Sequence, residues 1–197
     1  MIINKSAAQT WNGSLSTDWN NSGNWTPANV PTIDGNVIIP GTVATGNWPL
    51  LAGNININSI QMQQGSQLNV NGFAVTINSI NANNNFSGAT LNNSNAAADI
   101  ELNINTGSGG FITYFSSNTV NDNIVINLTG SNLFSEPEGT GNVYNGNTTF
   151  NINGSMTVYI SYGSASRFNG NLTINRTAAG TTWLFYAGGL VNGNFSY

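Results

Sequence analysis

A four-residue pattern recurs at near-constant spacing through the second half of the chain. Each copy consists of a bulky apolar residue, Asn, Gly or Asp, and a second Asn. The copies begin at Val120, Tyr144, Phe168 and Val191, at spacings of 24, 24 and 23 residues. Self-similarity with a period of about 20–50 residues is typical of chains that stack successive coils. The pattern therefore predicts a solenoid rather than a compact globule.

Apolar and polar residues alternate after each copy of the pattern. In residues 124–128, 148–152 and 172–176, every second position is mostly apolar and the positions between are mostly polar. Period-2 alternation indicates a strand with one buried face. Arg176 stands at an apolar position, and we expect the strand to leave the core there. No segment combines a 3.6-residue period with caps, so the predicted fold is all-β: a single-stranded parallel β-helix.

Aligning the coils places Asn over Asn at three offsets. The three predicted columns are Asn121, Asn145, Asn169 and Asn192; Asn123, Asn147, Asn171 and Asn194; and Asn127, Asn151 and Asn175. Neighbouring strands lie ~4.8 Å apart in the hydrogen-bonding direction. Side-chain amides at that spacing both donate and accept, so we expect them to form ladders. Gly146, Gly170 and Gly193 share one corner, where we expect a left-handed backbone.

The first fifty residues have a different composition from the rest. They hold four of the five Pro and four of the five Trp: Trp11, Trp19, Trp25 and Trp48. A solenoid needs a terminal cap, because its end coil would otherwise expose core and unpaired backbone. We expect residues 1–50 to form that cap, with the Trp side chains in its core rather than in a sugar platform. Residues 51–197 are expected to form roughly six coils of about 20–24 residues, and residues 36–39 to begin the stack.

Few residues are charged, and this argues against nucleic acids and anionic membranes as partners. Charged residues make up 5% of the chain and the net charge is −4, with Lys and Arg numbering three. Nucleic-acid binding needs a basic surface, and anionic membranes attract one, so neither partner is expected. No apolar run approaches the ~20 residues that span a bilayer. The N-terminus shows no signal peptide.

Catalysis and metal binding have few candidate residues. The chain has no His and no Cys, so imidazole and thiolate chemistry are absent. Two carboxylate pairs occur at i, i+2: Asp99 with Glu101, and Glu136 with Glu138. Both pairs are interpreted as solvated surface charges, with a protruding loop around Pro137. Glu136 and Glu138 are the best candidates for a calcium site, because carboxylates suit this cation, but no calcium-loop motif accompanies them.

Aromatic residues recur at matching offsets near the end of the chain. Tyr159 and Trp183 share one offset, and Tyr162 and Tyr186 share another. If the neighbouring apolar residues point inward, Tyr159, Trp183 and Phe185 point outward. A flat exposed aromatic strip can stack on sugar rings. The alternative is lateral packing of these rings against a neighbouring turn or chain.

The opening of the chain resembles a known family. The segments that carry the resemblance are residues 10–13 (TWNG), 16–19 (STDW), 23–25 (GNW), 30–32 (VPT) and 34–40 (DGNVIIP). They are similar to the start of β-solenoid domains in very large surface proteins of Bacteroidota. These proteins are commonly exported by the type nine secretion pathway and include giant adhesins of gliding bacteria. Residues 168–174 (FNGNLTI) resemble their tandem repeats. The resemblance implies a secreted or cell-surface adhesin or stalk segment.

These observations lead to one expected function and two alternatives. We expect a non-catalytic structural and adhesive segment of a bacterial surface protein, with surface glycans or other cell-surface proteins as partners. The first alternative is a carbohydrate-binding module that uses the aromatic strip, and the second is a polysaccharide-active β-helix enzyme. Because the chain ends just after a pattern copy opens another coil, we expect it to be the beginning of a longer protein.

Overall fold

The computed structural model describes residues 8–79, 82–107, 110, 112–136 and 140–197. Within them the regular structure is β-strand, apart from a three-residue 3-10 turn at Ser22–Asn24, and no α-helix is found. The strands are β1 (Gln9–Trp11), β2 (Trp25–Thr26), β3 (Asn36–Ile39), β4 (Ile55–Ile57), β5 (Ser59–Met62), β6 (Gln67–Asn69), β7 (Val75–Ile77), β8 (Asn84–Ser87), β9 (Thr90–Asn92), β10 (Ile100–Asn105), β11 (Thr113–Ser116), β12 (Thr119–Val120), β13 (Ile124–Thr129), β14 (Phe134–Ser135), β15 (Val143–Tyr144), β16 (Thr148–Ile152), β17 (Thr157–Ile160), β18 (Ser166–Phe168), β19 (Leu172–Arg176), β20 (Thr181–Leu184), β21 (Gly189–Val191) and β22 (Phe195–Ser196).

The strands form three sheets that the chain visits in turn. The first sheet has the order β2-β1-β3-β5-β8-β11-β14-β17-β20, the second β21-β18-β15-β12-β9-β6, and the third β22-β19-β16-β13-β10-β7-β4. All pairings between these strands are parallel except that of β1 with β2. One strand per sheet and per turn is the plan of a single-stranded parallel β-helix. The chain is therefore a β-solenoid of about eight turns, as the repeat predicts.

The core is a stack of equivalent side chains inside the three sheets. Leu102, Ile126, Phe150 and Ile174 pair in succession across β10, β13, β16 and β19, and each is at most 1% exposed. Aromatic rings stack inside the coils as well. The rings of Tyr144 and Phe168 lie 4.7 Å apart and nearly parallel. Burial of such side chains on every coil is the main favourable term that holds the solenoid together.

The first fifty residues contribute strands to the stack. β1 pairs with β3, and β3 pairs with β5. Two parallel strands of the first sheet, together with the antiparallel β2, therefore precede residue 51, and six parallel strands follow it. Trp11, Trp19 and Trp25 are buried, with the rings of Trp19 and Trp25 4.7 Å apart at 76°. The Trp25 indole N–H donates to the Trp19 carbonyl at 2.9 Å. Trp48 is half-buried instead.

Two of the three predicted Asn columns form amide ladders. Along the second sheet, each Nδ2 donates to the Oδ1 one coil earlier at 2.9–3.0 Å, and the participating residues are Asn92, Asn121, Asn145, Asn169 and Asn192. Along the third sheet the same bond joins Asn103, Asn127, Asn151 and Asn175 at 2.8–2.9 Å. The in-register pairing of Asn103, Asn127, Asn151 and Asn175 explains this ladder. We call these columns the second-sheet and third-sheet ladders.

The remaining predicted column is stacked but bonded differently. The backbone N–H of Asn147 donates to Asn123 Oδ1 at 2.8 Å, and that of Asn171 donates to Asn147 Oδ1 at 2.9 Å. The side chains therefore satisfy backbone donors of the next coil at the corner. This is a common use of Asn in turns.

The corner glycines serve a different purpose from the predicted one. Gly146, Gly170 and Gly193 are not among the residues with positive φ. A Cβ atom on Gly146 would lie 2.3 Å from the Asn123 backbone nitrogen, and one on Gly170 would lie 2.7 Å from the Gly146 carbonyl oxygen. The prediction of a left-handed corner at these glycines is wrong. Glycine is needed because successive coils approach one another too closely for a side chain.

Arg176 stays in the stack to the end of its strand. It pairs with Ile152 in the parallel ladder between β16 and β19, so the strand has not left the sheet at this point. Its guanidinium donates to the Met156 and Thr181 carbonyls. The expectation that the strand leaves the core by Arg176 is therefore wrong in its position.

Candidate functional site

Four aromatic side chains form a cluster on the outside of the first sheet. They come from β17, β20 and the turns that follow these strands, and we call them the aromatic patch: Tyr159, Tyr162, Trp183 and Tyr186. Tyr159 pairs with Trp183 in the parallel register. The next residue after each ring packs into the core: Ile160 after Tyr159, and Leu184 after Trp183. Because side chains alternate along a strand, Tyr159 and Trp183 point outward. This placement agrees with the predicted strip.

The rings of the aromatic patch contact one another and remain accessible. Tyr159 and Tyr162 have ring centroids 4.2 Å apart, Tyr162 and Tyr186 5.0 Å, and Tyr159 and Trp183 6.4 Å. Trp183 is 47% exposed and Tyr186 is 71% exposed, while Tyr159 is half-buried. Their mutual contacts order the rings before any ligand arrives. A preordered apolar surface of this kind favours flat, partly apolar ligands such as sugar rings.

Phe185 does not belong to the patch, contrary to the prediction. It lies directly after β20 with φ +54°, which interrupts the outward and inward alternation. Its ring packs partly buried against the core, 6.3 Å from the Phe168 ring and 5.8 Å from the Phe195 ring. Ser161, one repeat earlier, has φ +55°. The left-handed residue at this corner turns Phe185 inward and directs the next residue, Tyr186, outward.

Glu136 is in the core, which corrects its interpretation as a solvated loop charge. It follows Ser135 of β14 and is fully buried. Its carboxyl group accepts hydrogen bonds from the Tyr144 hydroxyl, the Ser161 backbone N–H at 3.1 Å and the Ser166 hydroxyl at 3.3 Å. Donors of the protein itself therefore surround the oxygens that a calcium ion would have to reach.

Burial controls the protonation of this carboxyl group. Desolvation raises the pKa of Glu136 from its ordinary 4.5 to about 7, against the opposing effect of hydrogen bonds from Tyr144, Ser161, Asn142 and Ser166. Burial, together with the neighbouring carboxyl group, raises the pKa of Tyr144. The pair is consequently a polar element of the core that is neutral in acidic solution.

The other residues considered for metal binding and catalysis lie elsewhere. Glu138 lies outside the described residues. Asp99 and Glu101 are exposed at the start of β10, where Asp99 accepts from Asn123 and Glu101 accepts from Asn103. In the part of the chain that the structure describes, no three His, Cys, Asp or Glu side chains come close enough together to hold a metal ion.

Sequence reasoning did not include Tyr162 and Tyr186 in the strip, although their equal offset was visible. The prediction of a solvated loop at Glu136 also overlooks a signal in the repeat. Glu136, Ile160 and Leu184 stand 24 residues apart, so the repeat assigns Glu136 to the same inward position as two aliphatic core residues. The local Glu-Pro-Glu sequence favours a loop, but the register of the repeat places Glu136 in the core.

Comparison with known proteins gives no relative. No family model matches the chain, and neither a curated protein nor a solved structure matches it significantly. Among the described residues, no helix has the length and apolar character that crossing a membrane requires.

Proposed function

We propose that this chain is a secreted or cell-surface structural and adhesive segment of a bacterial surface protein, without catalytic activity. The observation that carries the proposal is the aromatic patch, an ordered and accessible surface on a solenoid whose ladder Asn side chains bond to one another. The parallel ladders support a structural role, because each coil is bonded to its neighbours along the whole stack. The resemblance to gliding-adhesin solenoids supports the location.

The first fifty residues fit the role of an N-terminal cap in this proposal. The antiparallel β2 is the end strand of the first sheet, and the buried Trp11, Trp19 and Trp25 lie against the first coils. A closed end would prevent edge-to-edge association of the strands. The partners in this proposal are surface glycans or other cell-surface proteins.

The adhesive role is tested by replacing Trp183 with Ala. Beads that carry the chain should be retained on surfaces coated with bacterial polysaccharide or cell-surface protein, and Trp183→Ala should lower retention at least several-fold, since it removes the largest ring of the patch. The matched control is Tyr197→Ala, an aromatic side chain that is 70% exposed outside the patch. Circular dichroism checks that both variants fold. Equal retention of Trp183→Ala and the parent chain would contradict adhesion through the patch.

The second candidate function is a carbohydrate-binding module. It is favoured by the exposed rings of Tyr162, Trp183 and Tyr186, which provide apolar faces with polar edges, and of which the two Tyr rings stack on each other. A glycan array distinguishes the two candidates. Binding to defined sugars that Trp183→Ala abolishes supports the module, whereas adhesion without sugar binding supports contact with protein.

The geometry gives little support to polysaccharide cleavage. Glycosidic cleavage uses two carboxyl groups that flank the bond, one of them as an acid. Asp99 and Glu101 are exposed and hydrogen-bonded to ladder and corner Asn residues, and Glu136 is enclosed in the core. We expect no release of reducing ends when the chain is incubated with polysaccharides.

A further inference from the structure

The first sheet differs from the other two in charge. None of its nine strands, as the structure describes them, contains a charged residue. The second sheet contains Arg167, and the third contains Glu101 and Arg176. The described strands of the first sheet therefore present neutral side chains to a ligand on the outside, which favours neutral ligands over acidic or basic ones.

Two outward amide side chains of the first sheet also differ in being unpaired. One outward row runs along the solenoid axis through successive coils, and we call it the axial row: Gln61, Asn85, Tyr114, Ser135, Tyr159 and Trp183. On the other two sheets the outward amides bond to one another in ladders. Among the described residues, the side-chain amides of Gln61 and Asn85 have no hydrogen-bond partner, and Gln61 and Asn85 are both exposed.

The axial row combines apolar faces and free polar groups in a line. Tyr114 and Tyr159 are half-buried, and Ser135 between them is only 8% exposed, so the two rings are two coils apart, ~9.6 Å along the axis, with a buried position between them. Trp183 follows on the next coil. Neighbouring coils lie ~4.8 Å apart. Extended β-linked polysaccharides advance by a similar length per sugar ring, whereas α-linked glucans coil away from a straight line. A straight row with contacts on five of six successive coils therefore matches the extended chain.

We propose that the axial row binds an extended, neutral, β-linked polysaccharide that lies parallel to the solenoid axis, with sugar faces on Trp183, Tyr159 and Tyr114 and hydroxyl groups on Asn85 and Gln61. This inference rests on the carbohydrate-binding candidate above and deepens it by naming the ligand class and its direction. Free amides beside aromatic faces are the pairing that an uncharged sugar chain requires, because hydroxyl groups both donate and accept.

The test is the dependence of affinity on ligand length, measured by titration calorimetry with the 197-residue chain. Cello- and chito-oligosaccharides of two to six rings are compared, with maltohexaose as the α-linked control. Affinity should rise with each added ring up to six, because the row spans six coils. Tyr114→Ala should weaken hexaose binding by ~10-fold and leave disaccharide binding on the patch nearly unchanged.

A second variant covers the case in which Tyr114→Ala fails to fold. Gln61→Ala changes an exposed amide at the far end of the row and should weaken hexaose binding several-fold. Thr149→Ala, an outward position on the third sheet, is the control that should bind like the parent chain.

The outcomes separate this inference from the function on which it rests. Equal affinity for disaccharide and hexaose, unaffected by Tyr114→Ala and Gln61→Ala, would overturn the axial row while leaving sugar binding at the patch. Maltohexaose binding as tight as cellohexaose binding would overturn the extended ligand. The absence of binding to any sugar would overturn both.

Discussion

Ionisation of Glu136 is opposed by its position inside the solenoid. The pKa is raised to about 7 because burial penalises the carboxylate form. Between the ordinary value of 4.5 and about 7, the folded chain binds more protons at this residue than the unfolded chain does. The contribution of Glu136 to the free energy of unfolding is therefore fully present below about pH 4.5 and falls as pH rises through 7.

The first prediction at the residue scale follows from this sign. From pH 4 to pH 8, Glu136 should lower the free energy of unfolding by roughly 3 kcal/mol, the equivalent of the change in pKa. Glu136→Gln keeps the size of the side chain and removes its titration. Urea unfolding at both pH values should show that the free energy of unfolding falls more from pH 4 to pH 8 in the parent chain than in Glu136→Gln. Parallel pH profiles for the two chains would contradict the raised pKa.

A second prediction concerns Gly146, where two coils come close together. Gly146→Ala should lower the free energy of unfolding by about 1–3 kcal/mol, because the added carbon would lie 2.3 Å from the Asn123 backbone nitrogen and the backbone must shift. Gly53→Ala is the matched control, since its Cβ would meet nothing within 4 Å. Gly53→Ala should change stability by less than about 1 kcal/mol. Equal effects of both substitutions in denaturant unfolding would argue against the close approach.

Among the elements, the strands of the third sheet depend on the third-sheet ladder as well as on the core. Asn151 donates to Asn127 and accepts from Asn175, so it is bonded to the coils on both sides. Asn151→Ala should lower the free energy of unfolding by about 1–2 kcal/mol, the value of two partly exposed hydrogen bonds. Thr149→Ala on the same strand and the same outward side is the control, with a smaller expected loss. If Asn151→Ala and Thr149→Ala had the same urea unfolding midpoint, the ladder would not contribute to stability.

In the second half of the chain, the order of the strands could be predicted from the sequence because the repeat has a nearly constant spacing. Once Tyr144 and Phe168 occupy equivalent positions, the facing of Tyr159 and Trp183 follows from strand alternation. The corners could not be predicted in this way. A left-handed residue resets the alternation at Phe185, and close contact between coils rather than backbone handedness selects Gly146.

On the scale of the whole molecule, the three faces of the solenoid carry different chemistry. Asn ladders cover the second and third faces, whereas the first face presents the axial row and the aromatic patch. About eight turns at ~4.8 Å each give a rod of roughly 40 Å. In the proposed function, the second and third faces hold the coils together and the first face contacts the ligand.

The prediction at this scale concerns local stability along the rod. Each coil contacts the coils before and after it. The inward side chains of the central strands β13 and β16 are buried, with a paired strand on each side. Leu190 and Phe195 of the last coil are instead about half exposed. In hydrogen–deuterium exchange, amides of β13 and β16 should exchange slowest and those of β20–β22 fastest. Uniform exchange rates over all coils would mean that the rod opens as one cooperative unit.

The two Asn ladders also have a direction. In every amide-to-amide bond of both ladders, the later residue donates and the earlier one accepts, as in the bonds from Asn145 to Asn121 and from Asn175 to Asn151. The amide dipoles consequently add instead of cancelling, much as peptide dipoles do in a helix. The ladders therefore give the molecule a dipole along its axis, with the negative end at the terminal side-chain oxygens of Asn192 and Asn175, in addition to the field of its charged residues.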